Sequence, residues 1–279
     1  MRKVAIVTDC TADLPAELAA KRDITIVPLY LIWGDEELRA GIDITNEEFY
    51  TRLVNDPVLP HTSQPTPADF VNLFRQLDAE QIVLFVVSEQ LSGTYASALA
   101  AAELYEGRVT VVNSRTASMS LGWQVLAAAD VRDRGGSVAE MIAAADAVRR
   151  SSLFLLCPIT LEYLYRGGRL GAATKLLGTA LQIKPILTLN PVAGVIESFE
   201  KVRTRAKSLA RMIEATWERL KPAEKAHIAV LHGSCPEDAQ QVAEMLAEQQ
   251  PAEVIISEMG PIVGAHTGPG IIGIAGYAR

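Results

Sequence analysis

A chain of 279 residues, 49% hydrophobic and 21% charged, is long enough to bury a sizeable core and reads as one large or two ordinary globular domains. Its net charge of −7 argues against a nucleic-acid or anionic-membrane surface, which would call for a large positive field, and favours a small molecule or a protein as partner. Cys10, Cys157 and Cys235 are odd in number, far apart and without CxxC spacing, which suggests neither a disulfide framework nor a zinc site and fits a reducing cytosol.

Behind Arg2 and Lys3, the apolar run at 4–7 is too short for a signal peptide and soon meets Asp9. The strongest apolar stretch, 26–33, has only strand length and contains Pro28, so no membrane span is expected and the chain is expected in the cytoplasm. Strands are expected at 4–8, 24–32, 81–87 and 108–112, alternating with helical segments. That alternation argues for a mainly parallel sheet in a three-layer α/β/α arrangement. Asp13 with Pro15 marks a first helix start, and Thr45 with Glu48 and Ser137 with Glu140 each match a capping box.

The second half differs. Strands are expected at 153–157, 185–189, 195–202, 227–231, 253–257 and 271–277, and the Pro- and Gly-bearing gap at 190–194 reads as a hairpin turn. A mixed six-stranded sheet with packed helices follows, and a boundary near 150–152 divides the chain into 1–151 and 152–279. No internal repeat at a fixed period and no low-complexity tract stands out.

Three hydroxyl-rich segments carry the candidate chemistry: Thr62-Ser63-Gln64-Pro65, the loop 88–94 with Leu91-Ser92-Gly93 at its centre, and His266-Thr267-Gly268-Pro269-Gly270. The middle one follows the expected strand 81–87, so Ser92 sits at a strand's carboxyl end, where ligands bind in open α/β sheets. Each also has a structural reading: Ser92 suits an N-cap for a helix from Thr94, 62–64 could cap a helix starting near 67–68, and His266 could be an ordinary loop histidine. Ser92 with His266 as base would make a hydrolase, although GxSxG is absent. Asp9 could accept a phosphoryl group, but an Asp after a first strand more often bonds the next turn.

Gly268, Gly270 and Gly273 fit GxGxxG, yet no helix and second strand are read behind them, which leaves them as turn formers and not a dinucleotide fingerprint. There is no GxxxxGK[ST] for ATP and no HExxH, and His61, His227, His232 and His266 lack ligand spacing, so no metal is expected. Arg166, Arg169, Lys201, Arg203 and Arg205 make local basic clusters on an acidic chain.

In order along the chain stand TDCTADL at 8–14, TSQPTP at 62–67, LSGTYASA at 91–98, NSRTASMSLG at 113–122, LEYLYRGGRLG at 161–171, KPIL at 184–187, KVRTR at 201–205 and GPIVGAHTGPG at 260–270. Together they resemble, over essentially the whole chain, the DegV family of bacterial fatty-acid-binding proteins, the acyl-carrying subunits of fatty acid kinase. Cys10 stands where that family usually has Ser, Asn113 where it has Asp, and Thr66 where Ser is common.

The resemblance implies two DegV-like α/β domains with the lipid site at and below their junction. It also implies a long-chain fatty acid ligand such as palmitate, stearate or oleate. Thr62 and Ser92 would hydrogen-bond the carboxylate with His266 nearby, supported by Ser63, Gly93, Thr94 and Thr267. The basic clusters themselves, not the resemblance, suggest that Arg169 and Arg203 dock an acidic partner or hold the transferred phosphate, against a reading as an ordinary solvated strand edge and helix end. No catalytic residue, cofactor or metal is implied on this chain. ATP and a divalent metal would sit on a separate kinase subunit that makes acyl phosphate for phospholipid synthesis, with at most transient membrane contact. A serine hydrolase of acyl esters, or a lipid buffer without phosphoryl transfer, is the alternative.

Energetics agree with such a carrier: a sixteen-carbon tail gains about 0.8 kcal/mol per buried methylene, on the order of 12 kcal/mol before ordering costs. Hydroxyl bonds to a charged head contribute roughly 1.5–3 kcal/mol each and would orient more than retain. Neutral donors leave the carboxylate oxygen more nucleophilic than a bidentate arginine would. The tail-lining side chains are expected from 153–164 and 176–186.

Overall fold

The computed structural model describes residues 2–176 and 184–278. The chain begins with β1 (Arg2–Asp9), a 3-10 turn at Cys10–Ala12, α1 (Ala16–Lys21), β2 (Ile24–Val27), β3 (Tyr30–Trp33) and β4 (Glu36–Arg39). Next come α2 (Asn46–Asn55), β5 (His61–Ser63), α3 (Pro67–Gln76), β6 (Ala79–Val86), α4 (Thr94–Leu104) and β7 (Arg108–Asn113). Two longer helices, α5 (Met119–Asp133) and α6 (Val138–Ser151), lead into the second half.

There, β8 (Leu153–Cys157), α7 (Glu162–Arg166), a 3-10 segment at Gly171–Leu176, β9 (Ile186–Leu189) and β10 (Ile196–Glu200) are followed by α8 (Arg205–Arg219) and a 3-10 turn at Ala223–Lys225. The described chain then runs through β11 (Ala226–His232), α9 (Pro236–Ala247), β12 (Glu253–Glu258), α10 (Pro261–Thr267) and β13 (Ile272–Ala278).

The first sheet has the order β2-β1-β6-β7 and is parallel throughout. Side chains alternate across it with period two. Val4 and Ile6 pack with α5 side chains such as Met119 and Val125, while Ala5 and Val7 pack with Phe70 and Phe74 of α3 and Ala98 of α4. The second sheet has the order β10-β9-β8-β13-β11-β12, with β11 and β12 parallel and every other pairing antiparallel. One face carries α8 and α9 through Met212, Val242 and Leu246; the other packs Ala275 and Tyr277 into the same core as α5 and α6. Trp123 of α5 fastens that contact by donating its indole N–H to the Ala275 carbonyl at 3.2 Å. The α5/α6 layer is thus shared between the two sheets.

Two sequence expectations need correction. The run 24–32 is not one strand: β2 ends at Val27, Pro28 has no N–H for a ladder, and β3 leaves for a separate antiparallel sheet of order β4-β3-β5. The first helix is not capped by Asp13; α1 starts behind Pro15, while Asp13 takes a left-handed conformation at φ 48°. The Thr45/Glu48 and Ser137/Glu140 capping boxes and the β9–β10 hairpin form as read.

Candidate functional site

Each of the three hydroxyl-rich segments is held by a different device. Thr62 lies in β5, in register with Leu31 of β3, so it is set by a strand and does not cap a helix. Thr66 caps α3 instead, in a box with Asp69. Ser92 sits beyond the carboxyl end of β6, where the N–H groups of Leu91 and Ser92 both donate to the Ser88 carbonyl. That loop is anchored by Asp9 at the end of β1, which accepts from Val87 N–H at 2.7 Å and from the N–H and hydroxyl of Thr11 at 2.9 and 2.5 Å. Burial raises the Asp9 carboxyl above its ordinary pKa while these bonds pull it down. Every one of these contacts ties neighbouring turns together, which is the structural reading of that residue.

His266 is not in a loop. It occupies the last turn of α10, whose start is tied to Asp13: the Gly260 N–H donates to Asp13 Oδ1 at 2.9 Å, and the Ser118 hydroxyl donates to Oδ2 at 2.5 Å. Burial pushes the Asp13 carboxyl up to about 7.

The segments converge. His266 Nε2 and Thr62 Oγ1 are 2.9 Å apart although 204 positions separate them in sequence. Thr62, Ser92, His266, Thr267 and Arg169 line one cavity of about 80 Å³, whose apolar wall includes Phe154, Leu156, Leu164, Leu189, Ile196 and Val263. No acidic side chain is among the described residues that line it. Burial, the Arg169 guanidinium and His61 lower His266 to about 4, so the imidazole is neutral near pH 7.

Ser92 does not meet His266 in any described hydrogen bond. Its Oγ pairs with Thr94 Oγ1 at 2.8 Å and takes the Thr94 N–H at 3.3 Å, a partial cap for α4 behind the formal N-cap Gly93. Gly93 lies against the Gln64 side chain, where a Cβ would come within 3.1 Å, so the first two segments also touch. Thr94 is buried; Ser63 is outside the cavity lining and makes a 3.5 Å contact to the Gln64 carbonyl; Thr267 spends its hydroxyl on the Val263 carbonyl at 3.0 Å.

The basic clusters separate. Arg166 pairs with Glu162 and Arg205 with Asp238, both at 2.7 Å. Arg203 is exposed and outside the cavity lining, whereas Arg169 turns inward, with Nε on the Leu91 carbonyl at 3.0 Å and Nη1 on the Gly167 carbonyl at 2.5 Å. Sequence reasoning did not single out Gly167, which packs on His266, or Thr11 in the cavity wall. Of the tail-lining stretches, 153–164 contributes Phe154, Leu156 and Leu164, while 177–183 lies outside the described residues.

A larger hollow of about 500 Å³ lies on the other side of the Cys10–Ala12 turn, lined by Asp9, Asp13 and Glu258 and by no basic side chain among the described residues. Its sign is wrong for an acidic ligand. Of these two hollows the smaller one suits an anion with an apolar body better, because its lining offers hydroxyls, a neutral imidazole and one guanidinium.

The fold is α/β, and the lining of its smaller cavity combines apolar side chains with hydroxyls, a neutral imidazole and one guanidinium. A family model, "Uncharacterised protein, DegV family", matches residues 3–279, and the chain belongs to that family. A DegV domain-containing protein of Streptomyces coelicolor is 40% identical, over 100% of this chain and 99% of that one. The fold is similar to that of a DegV family protein from Thermus thermophilus solved for its fatty acid binding, with 34% identity and a TM-score of 0.92 over 100% of both chains. DegV of Bacillus subtilis, a fatty acid binding protein, has 30% identity and a TM-score of 0.92, again over 100% of both chains.

Proposed function

We propose that this chain binds a long-chain fatty acid with its carboxylate at Thr62, Ser92 and His266, and presents it to a separate ATP-dependent kinase subunit for conversion to acyl phosphate. The observation that carries the reading is the convergence of those three residues at the polar end of an apolar cavity free of described acidic groups. The fatty acid binding of the Thermus thermophilus and Bacillus subtilis relatives supports the ligand class.

In this reading residues 1–151 and 152–279 form two domains and the lipid lies at and below their junction. A cavity of about 80 Å³ holds only a handful of water-sized spheres, so a long tail enters by parting the apolar wall. Burial of the tail supplies most of the affinity, and the hydroxyls orient the head. The Thr62 and Ser92 hydroxyls donate to the carboxylate, and Arg169 lends positive charge while its bonds to the Leu91 and Gly167 carbonyls keep it in place. One carboxylate oxygen then attacks the terminal phosphorus of the partner's ATP, the bond to ADP breaks, and acyl phosphate leaves. The partner supplies the nucleotide and its divalent metal; exposed Arg203 serves its docking, and the work is done in the cytoplasm.

The test is Ser92→Ala and parent protein loaded with fatty acid and incubated with ATP and the kinase subunit. Retained lipid with lost acyl-phosphate formation is the expected result, and equal rates would refute the role given to Ser92. A serine hydrolase needs its base within reach of the nucleophile. Here His266 Nε2 is engaged by Thr62 and Ser92 by Thr94, so the geometry favours presentation over hydrolysis.

A further inference from the structure

We infer that Gly167 is a positioning residue: it fixes His266 in the tautomer that carries its proton on Nε2, so that His266 donates to Thr62 Oγ1 and the Thr62 hydroxyl proton is left for the ligand. The last link rests on the fatty acid reading above; the tautomer does not.

Gly167 closes α7 with φ −72° and ψ −7°, ordinary helical values that any residue can adopt. The adjacent Gly168, at φ +70° with open space around it, is a glycine the backbone itself calls for. At Gly167 the reason is a neighbour. A Cβ there would stand 2.1 Å from His266 Nδ1 and 2.9 Å from Cε1. The imidazole edge therefore lies against the bare Cα of Gly167, and Nδ1 is sealed from solvent without a hydrogen-bond partner among the described residues.

An imidazole nitrogen in that position cannot carry a proton cheaply. A buried N–H without an acceptor forfeits its hydrogen bond to water, and the Gly167 N–H is already committed to the Tyr163 carbonyl, so no described residue donates to Nδ1 either. A bare nitrogen resting on a Cα–H is the milder of the two arrangements. Since the ring is neutral near pH 7, its single proton then sits on Nε2, 2.9 Å from Thr62 Oγ1. The direction of that bond follows: Nε2–H donates and Thr62 Oγ1 accepts. Thr62 can donate only one proton, and this arrangement leaves it aimed at the cavity. The opposite tautomer would spend that proton on the imidazole and present the carboxylate with a bare oxygen.

The Gly167 carbonyl has a second task in the same place, holding Arg169 Nη1 at 2.5 Å, so one peptide seats both the imidazole and the guanidinium of the site.

The test has two arms. Nitrogen-15 spectra of the histidine rings, recorded at pH 7 on protein stripped of lipid, should show His266 with a protonated Nε2 and a bare Nδ1; a protonated Nδ1 overturns the inference whether or not the protein folds as a variant. Fatty acid titrations on parent, Gly167→Ala, His266→Ala and the double variant form a cycle. Gly167→Ala should weaken binding about 10- to 100-fold, the factor expected for losing one oriented bond to a charged head. In the His266→Ala background the same change should cost no further affinity, because the atom it strikes is gone. Independent, additive losses would mean that Gly167 serves the fold alone. If parent protein takes up no fatty acid, the proposed function fails while the spectra still decide the tautomer.

Discussion

Replacing Thr62 by Val removes one oxygen from β5 and keeps the β-branched shape that suits a strand. Two effects follow from the geometry. His266 Nε2 loses its 2.9 Å partner, and because Nδ1 has none among the described residues, the whole imidazole is left unsatisfied in a partly buried site. Leaving a buried polar group unpaired costs about 1–3 kcal/mol, and for a chain of this size each kcal/mol lowers Tm by roughly 2–4 °C. The ligand also loses a hydroxyl donor, worth about 1.5–3 kcal/mol to a charged head, or roughly 10- to 100-fold in Kd. The tail contribution of on the order of 12 kcal/mol remains, so binding is weakened and not abolished. Scanning calorimetry on stripped protein and displacement of a fluorescent fatty acid read the two effects separately. A variant with parental Tm and parental affinity would refute the convergence of Thr62 and His266 on the ligand.

Other expectations follow from the same contacts. His266 is lowered to about 4 by burial, so the unfolded chain binds the extra proton between its ordinary pKa of about 6.5 and 4, and the stability lost as pH falls through that window amounts to about 3 kcal/mol. Asp13, raised to about 7, acts with the opposite sign: the folded chain binds the extra proton from about 4 to 7, and that stability is lost as pH rises through 7. The two slopes oppose each other between pH 4 and 6.5, so denaturant titrations of Asp13→Asn should show stability rising more steeply with pH over that range than in the parent; parallel pH profiles would contradict this pairing. Arg169→Met should raise the His266 pKa while leaving it below 6.5, since burial is the larger cause; an unmoved NMR titration would show that the guanidinium does not act on the ring. Arg203→Glu should leave fatty acid affinity unchanged and weaken association with the kinase subunit, measured by titration calorimetry; unchanged association would remove Arg203 from the docking role.

The legible parts of the fold are those with local signals. Alternation of strand and helix foretold the parallel sheet, and the unbroken run ending at Val87 put Ser92 at a strand's carboxyl end. The three-stranded sheet escaped because β4 carries charged residues and β5 is three residues long, so neither has an apolar period to read, and Pro28 looked like an interruption within one strand when it is the change of sheet. The hydroxyl-rich segments were visible as composition, but their meeting was not: the Thr62–His266 bond joins residues 204 apart, and no spacing rule spans that distance. Gly167 was hidden for a related reason. Its neighbours in sequence suggest only a helix end, and what singles it out is an imidazole arriving from α10.

The most direct measurement is mass spectrometry of the purified protein under native and then denaturing conditions, with identification of any small molecule released. A long-chain fatty acid in near-equal stoichiometry is the expected result. Protein that carries none, and takes none up when fatty acid is added, would contradict the central claim.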